Sequence, residues 1–488
     1  MASDLPSLGA LGPVLPEIVL AIAALVVLLV GVFSLKRERS GLLSGVAIAI
    51  LLVVAIYVGL VGTGDALLFN GSFVNDGFAR FMKVLVLGGS AFALLLSLSN
   101  AKENGLAKFE YAVLVMLATV GMMIMISAND LMTLYVGLEL QSLAFYVTAA
   151  MNRENAKATE AGLKYFVLGA LASGLLLYGA SLVYGFTGQT ELDQIAKAIS
   201  LGSHSVGLIF GVVFLLAGIA FKIAAVPFHM WTPDVYEGAP TPVTTFFASA
   251  PKVAALALTA RVALDAFGHQ SGAWQQVVIF AALASIIVGA LGAIGQGNLK
   301  RLLAYSSINN VGFILIGLAC NTAQGAAAML VYLAIYVPMT IGSFVAVLML
   351  KTEDGEPVEA IADISGLATS RPAIAWCLMI MMFSLAGIPP LFGFWGKFVV
   401  FQAAVQAGLP ALAAVGIAAS VIGAFYYIKI VKVMFFDERA DVVKGTSGWG
   451  HWALLAICAV FLSPLGYLLT PWLDGFAGKA ASVLFMAV

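Results

Sequence analysis

Apolar runs of near twenty residues recur from one end of the chain to the other, separated by short polar stretches. About 20 apolar residues in helical conformation cross the hydrocarbon core of a bilayer, so the pattern predicts membrane-spanning helices. Fourteen spans are read, over residues 15–35, 41–61, 77–99, 109–127, 130–150, 162–186, 204–230, 239–265, 273–296, 301–320, 324–350, 371–403, 409–435 and 449–471. The connections are short and leave no room for a sizeable soluble domain. The expected fold class is an all-α integral membrane protein.

Within this pattern a short motif repeats. FLLAGI begins at Phe214 in span 7 and FSLAGI at Phe383 in span 12, 169 residues later. The separation is close to that between the starts of spans 4 and 9, which suggests one unit of spans 4–8 and another of spans 9–13. Five is an odd number of crossings, so the second unit is expected to be inverted, as in many transporters. The chain then divides into an N-terminal three-helix segment (1–108), a first five-helix repeat (109–270), a second (271–436), and a C-terminal helix and tail (437–488). Both copies of the motif precede a proline break: Pro227 in span 7, and Pro389 and Pro390 with Gly393 and Gly396 in span 12. Proline removes an amide donor and clashes with the preceding turn. The carbonyls it frees at bilayer depth need water or protein partners, so spans 7 and 12 are expected to be broken beside hydrated pockets.

Composition agrees with the pattern. Hydrophobic residues make up 62% of the chain and charged ones 10%, with a mean hydropathy of +1.03, against about 25% charged in a soluble domain. The net charge of −1 gives nucleic-acid binding no electrostatic support. The three cysteines, Cys320, Cys377 and Cys458, lie singly in apolar spans, which argues against a disulfide framework, a zinc site or an iron–sulfur site. The first lysine is Lys36, so the first apolar run lacks a basic leader and is expected to be a retained helix. Fifteen basic residues fall in the odd-numbered loops and five in the even-numbered loops, the tail and the first turns of span 3. The positive-inside rule then puts both termini on the outer, periplasmic side. The charge clusters at 351–371 and 436–447 read as solvated surface.

Four ionisable residues break the apolar pattern at depth: Glu139 in span 5, Lys222 in span 7, Lys252 in span 8 and Lys397 in span 12. Glu139 is far from either end of its span, about 14–16 Å at 1.5 Å per residue, too deep for a short side chain to reach water. A charge at that depth costs several kcal/mol unless paired, neutralised or hydrated. Desolvation favours the neutral form of an acid or an amine, and pairing favours the charged forms. A Lys–Glu pair so placed releases a proton when the pair breaks, which is the chemistry of a proton switch. His229, just after Pro227, is a candidate relay. Lys429 reads as snorkelling, Lys300 and Arg301 as positive-inside anchors, and Asp130, Asp234 and Glu237 as interfacial. No phosphate-binding loop, dinucleotide fingerprint or haem-ligand pattern is visible, so no cofactor is expected on this chain and the driving energy must come from an ion gradient or from partner subunits.

FKIAAVPFHMWTPDVYEGAPTPV, from Phe221 to Val243, and GQGNLKRLLAYSSINNVGF, from Gly295 to Phe313, resemble signatures of the antiporter-like membrane subunits of respiratory complex I, the proton-pumping NADH:quinone oxidoreductase. The PDVYEGAPTPV wording and the Pro251–Lys252 step resemble the subunit N branch, which is similar to mitochondrial NADH dehydrogenase subunit 2. The resemblance covers essentially the whole chain. It implies that Glu139 pairs with Lys222, that Lys252 is a central connecting lysine and that Lys397 ends a second half-channel. The four would form a hydrophilic axis along the membrane plane. It also implies a bacterial inner-membrane location and partner membrane subunits, including antiporter-like paralogues. NADH, FMN, iron–sulfur clusters and quinone would be held by partner subunits. Tyr305 and Ser306, not a carboxylate, stand opposite Glu139 in the second repeat, so the halves are not expected to work identically. Two other readings remain: a subunit of a multi-subunit sodium/proton antiporter, and a scaffold whose buried charges only fix helix packing.

Overall fold

The computed structural model describes residues 8–33, 40–62, 64–99, 105–202, 205–268, 271–445 and 448–485. Lys36, Arg37, Arg39 and Lys102, four of the residues used to orient the chain, lie outside them. Twenty α-helices follow one another among the described residues. They are α1 (Leu15–Phe33), α2 (Ser40–Ile56), α3 (Gly77–Ser99), α4 (Phe109–Ile126), α5 (Leu131–Ala149), α6 (Ala156–Thr187), α7 (Leu192–Ser200), α8 (Val206–Ile223), α9 (Trp231–Gly238) and α10 (Thr241–Ala248). The rest are α11 (Ala250–Arg261), α12 (Ser271–Ile294), α13 (Leu299–Ala319), α14 (Ala323–Met349), α15 (Leu367–Ser370), α16 (Pro372–Ala386), α17 (Gly393–Gln406), α18 (Pro410–Phe436), α19 (Trp449–Leu462) and α20 (Thr470–Val483). A two-stranded hairpin, β1 (Ala66–Leu68) and β2 (Phe73–Asn75), lies between α2 and α3 and is the one β-sheet among the described residues.

Twelve helical runs among the described residues are long and apolar enough to cross a membrane, and a bent pair would make thirteen. The bent pair is the last expected span. Its helix turns by 66° between Leu462 and Pro464, where proline has no amide to continue the ladder and the Ser463 hydroxyl caps the next turn. Expected span 12 is two short helices, α16 and α17, with a break between them.

Short polar residues start the helices. Asp130, Asn155, Ser205, Asn298 and Thr322 each accept amide hydrogens of the first turn of α5, α6, α8, α13 and α14. Glycines set the spacing between helices. A Cβ on Gly121 of α4 would sit 2.7 Å from the Gly137 carbonyl of α5, so this pair packs backbone to backbone. Outer helices carry apolar side chains into the surroundings, such as Leu163, Phe166 and Leu171 of α6, as a lipid-facing surface requires. The stretch Thr241–Ala266 lies wholly inside the bundle, and α13 and α14 nearly so. Lys252 lies in the first of these buried stretches.

Candidate proton-transfer site

The two breaks are built alike. α8 ends at Ala224, with φ +60°, and α16 ends at Gly387, with φ +80°; both are in the left-handed region. The next amides turn back, Ala225 N–H to the Ala220 carbonyl and Ile388 N–H to the Phe383 carbonyl, which is how a helix terminus satisfies part of its orphaned carbonyls. Proline follows at once, at 227 and at 389–390. The backbones therefore match at a separation of 163 residues, six fewer than the FLLAGI/FSLAGI spacing. The geometry follows the turn chemistry of AVP and IPP, and the apolar letters upstream of it slip.

Each break leaves a carbonyl aimed into the bundle, and a lysine meets each. Lys252 Nζ donates to the Ile223 carbonyl at 3.0 Å. Lys397 Nζ donates to the Ala386 carbonyl at 3.0 Å and to Ser420 Oγ at 3.1 Å. Ile223 and Ala386 are equivalent positions, each just before the left-handed residue. A cation at a helix C-terminus is favoured by the helix dipole, the more so where no water competes. Lys252 also lies over the Tyr236 ring, and Lys397 over Phe313 at 4.4 Å.

Lys222 lies on the last turn of α8 and points to α5. Its Nζ donates to Ser142 Oγ at 2.7 Å and to Tyr146 OH at 3.4 Å. Ser142 is free to accept because it donates its own hydrogen to the Leu138 carbonyl. Glu139, Ser142 and Tyr146 stand on one face of α5 at helical spacing. Glu139 lies one helical turn before Ser142 but forms no ion pair with Lys222, whose amine goes to the serine. Its Oε1 is buried without a hydrogen-bond partner, and the serine stands where the direct pair was expected.

A neutral polar cluster fills the centre between Lys252 and Lys397. Ser306 Oγ and Tyr427 OH are 2.5 Å apart, Ser307 Oγ and Tyr336 OH 2.8 Å. Asn310 Nδ2 donates to the Ser306 carbonyl and Tyr427 OH, and its Oδ1 accepts from Tyr332 OH at 2.6 Å. Gly396, beside Lys397, abuts the Tyr332 ring; a Cβ there would fall 2.3 Å from it. At the other end Tyr236 lies beside Ser307 and Tyr336.

The other residues singled out in the sequence have plainer places. His229 is half-buried in the turn between α8 and α9, with Nδ1 unbonded and no hydrogen bond to the deep lysines. Lys429 donates to the Ile294 carbonyl at the end of α12, so it caps a helix and does not simply snorkel. Arg301 bonds Asp234 at 2.7 Å and Glu237 at 3.2 Å in a part-exposed cluster, as an interfacial anchor does. Lys300 differs from the anchor expected: it is 3% exposed and holds the Ala239 carbonyl and Glu359. Its amine is taken up by those two acceptors, at 2.7 and 3.2 Å.

The family model described as NADH:quinone oxidoreductase/Mrp antiporter, TM, matches residues 128–423. The NADH-quinone oxidoreductase subunit N of Erythrobacter litoralis is 63% identical over 479 residues, covering 97% of this chain and 98% of its own. The chain belongs to this family, in its subunit N group. The subunit N of Sphingopyxis alaskensis is 54% identical over 471 residues, with 96% and 98% covered. A chain of respiratory complex I from Thermus thermophilus superposes with a TM-score of 0.81 at 31% identity, covering 95% of this chain and 99% of that one. A chain of the Mrp complex of Dietzia superposes with a TM-score of 0.80 at 22% identity, a likeness of fold alone. The chain is thus a multi-pass membrane subunit of a bacterial NADH-quinone oxidoreductase, with other subunits of that complex as its partners.

Sequence reasoning singled out the charged residues and, among the neutral ones of the cluster, Ser306 alone. Ser142, Tyr146, Asn310, Tyr332, Tyr336, Tyr427 and Ser420 had one available signal, polarity inside a span. The run SSINN at 306–310 is the plainest instance, since five residues in a row include four hydrogen-bonding side chains at bilayer depth.

Proposed function

We propose that the chain translocates protons across the bacterial inner membrane, along an axis of Glu139, Lys222, Lys252 and Lys397, within a proton-pumping NADH:quinone oxidoreductase. NADH, FMN, iron–sulfur clusters and quinone belong to partner subunits, which supply the driving reaction, and antiporter-like paralogues flank the chain in the membrane. Both termini face the periplasm.

One observation carries this reading. Lys222, Lys252 and Lys397 are buried in the spans with amines that bond neutral oxygens and no described carboxylate within 4.0 Å, whereas the equally buried Lys83 is paired with Glu17 at 2.6 Å. A desolvated ammonium held without a counter-ion is costly, so each amine is poised to give up or regain a proton as its surroundings change. Glu139 supplies a negative charge near the first of them. Hydroxyls held in place by the Asn310 amide lie between the second and third, and hydroxyls pass a proton without becoming charged at rest. A scaffold needs no such arrangement, since full pairing would hold the helices with less cost.

The test is proton pumping in reconstituted vesicles. Glu139→Gln and Lys222→Ala are expected to leave the complex assembled and to abolish or strongly reduce pumping. Normal coupled pumping in an assembled variant would favour the scaffold. Sodium-dependent transport without quinone chemistry would favour the antiporter reading.

A further inference from the structure

A polar cavity of about 710 Å³ opens among loops away from the lysine axis. Lys157, Glu237, Thr241, Lys300, Glu356 and Glu359 are among its lining residues. At a water's share of about 30 Å³ it holds roughly twenty molecules. It sits where the first repeat meets the second, on the face whose loops are rich in lysine and arginine. Its floor is the break between α9 and α10, and its innermost charge is Lys300, pinned between the Ala239 carbonyl at 2.7 Å and Glu359 at 3.2 Å.

α9 is the wall between this cavity and the axis. Glu237 lines the cavity, while its neighbour Tyr236 is fully buried with Lys252 over its ring. α13 links the two compartments. Lys300, Leu303, Ala304 and Ser307 share one face at helical spacing. Lys300 borders the cavity, and Ser307 bonds Tyr336 at 2.8 Å inside the bundle. The two are about 10 Å apart along the helix, and Leu303 and Ala304 between them are buried and apolar.

We infer that this cavity is the vestibule through which the pump takes up protons from the cytoplasm, that Lys300 with Glu359 is its transfer pair, and that the apolar step at Leu303 and Ala304 is its gate. The inference rests on the proton-pumping function proposed above. In the transfer, an N–H bond of the Lys300 ammonium breaks as its proton passes inward over water admitted at the gate. The Ser307 and tyrosine hydroxyls each gain one proton and release another, so they end unchanged, and the Lys252 amine becomes the ammonium. Glu359, protonated from the vestibule, then returns a proton to the Lys300 amine and is left as carboxylate. The pair ends as it began, and one proton has moved from the cavity to the axis.

The test uses the assembled complex with single cysteines introduced into this chain. Leu348→Cys lies on the cavity wall and is buried, and Ala360→Cys lies at the exposed rim. A membrane-impermeant maleimide applied to inside-out vesicles is expected to label both, and labelling at 348 is expected to slow pumping. Labelling of Ala360→Cys without Leu348→Cys would overturn the vestibule, and labelling of either only from the periplasmic side would overturn its direction. In parallel, Lys300→Ala and Glu359→Gln are expected to slow pumping roughly a hundredfold or more, the range of a lost acid–base group. Lys300→Arg keeps the charge and the contact but does not readily release a proton, so it is expected to fail as well. A fully pumping Lys300→Arg would reduce Lys300 to an anchor of α9 and overturn its part. If Lys222→Ala blocks pumping while 348 stays unreactive, only the vestibule falls. If Lys222→Ala pumps normally, the reading beneath it falls.

Discussion

The ammonium of Lys252 rests on the carbonyl of Ile223, 3.0 Å away, so the helix that carries Lys222 ends on the charge of another span. Charge on Lys252 and the conformation of the α8 terminus are therefore one equilibrium. Loss of the proton from Lys252 weakens a charge-assisted bond one residue from Lys222. Lys252→Met, which keeps the length and removes the donor, is expected to free the terminus and uncouple the two sites. Vesicle acidification should fall far more than assembly on native gels, and a variant that pumps normally would separate the sites.

Ser142 is expected to matter as much as the acid beside it. It gives Lys222 its shortest hydrogen bond, 2.7 Å, and Tyr146 is a weaker second at 3.4 Å. A hydrogen bond to a charged group is worth about 1.5–3 kcal/mol, so Ser142→Ala should slow pumping by about tenfold or more. Tyr146→Phe should do less. The reverse order in proton-flux measurements would reassign the partner of Lys222.

Replacement of Lys222 by arginine separates charge from exchange. Arg keeps the positive charge and reaches the same hydroxyls, but it does not give up its proton readily. Lys222→Arg is expected to assemble and to pump poorly. Full pumping by this variant would mean that the site needs only a fixed charge.

The hydroxyl–amide cluster gives a prediction with two separate readouts. Tyr332→Phe leaves Asn310 Oδ1 without its 2.6 Å donor, and an unsatisfied buried acceptor costs about 1–3 kcal/mol. Both thermal stability and pumping are expected to drop. A lower melting temperature with intact pumping would make the cluster a packing device only.

Arg261 shows the contrast with a fully paired charge. It bonds Asp76 at 2.8 and 2.9 Å, Asp265 at 3.2 Å and the Ile126 carbonyl at 2.8 Å. Removing one partner of a buried network costs about 3–5 kcal/mol, because the other charges are orphaned. Arg261→Met is expected to deplete the chain from the assembled complex on native gels, whereas Lys222→Ala is not.

The legible and illegible parts of the sequence divide along a physical line. Span positions were readable because hydrophobic length is a local quantity. Glu139, Lys222, Lys252 and Lys397 were readable because a charge at depth stands out against apolar neighbours. What lay across helices was not readable. The place of Ser142 between Glu139 and Lys222 depends on the approach of α5 to α8. The inward turn of Lys300 depends on Glu359, some sixty positions away. The register at which the two breaks match is set by backbone turns at Ala224 and Gly387, and the motif letters six residues off could not report it.

The two interrupted spans differ in who supplies the lysine. At Ala386 the donor is Lys397, from the continuation of the same span, with Ser420 of α18 as its second partner, so that joint is closed chiefly within its own span and should hold its shape when its surroundings shift. At Ile223 the donor comes from α11, on the next span, so the first joint is a clasp between two rods. A push on the central rod must therefore be felt at the Lys222 end, while the far joint can stay still, which gives the pair of joints a leading member and a following one.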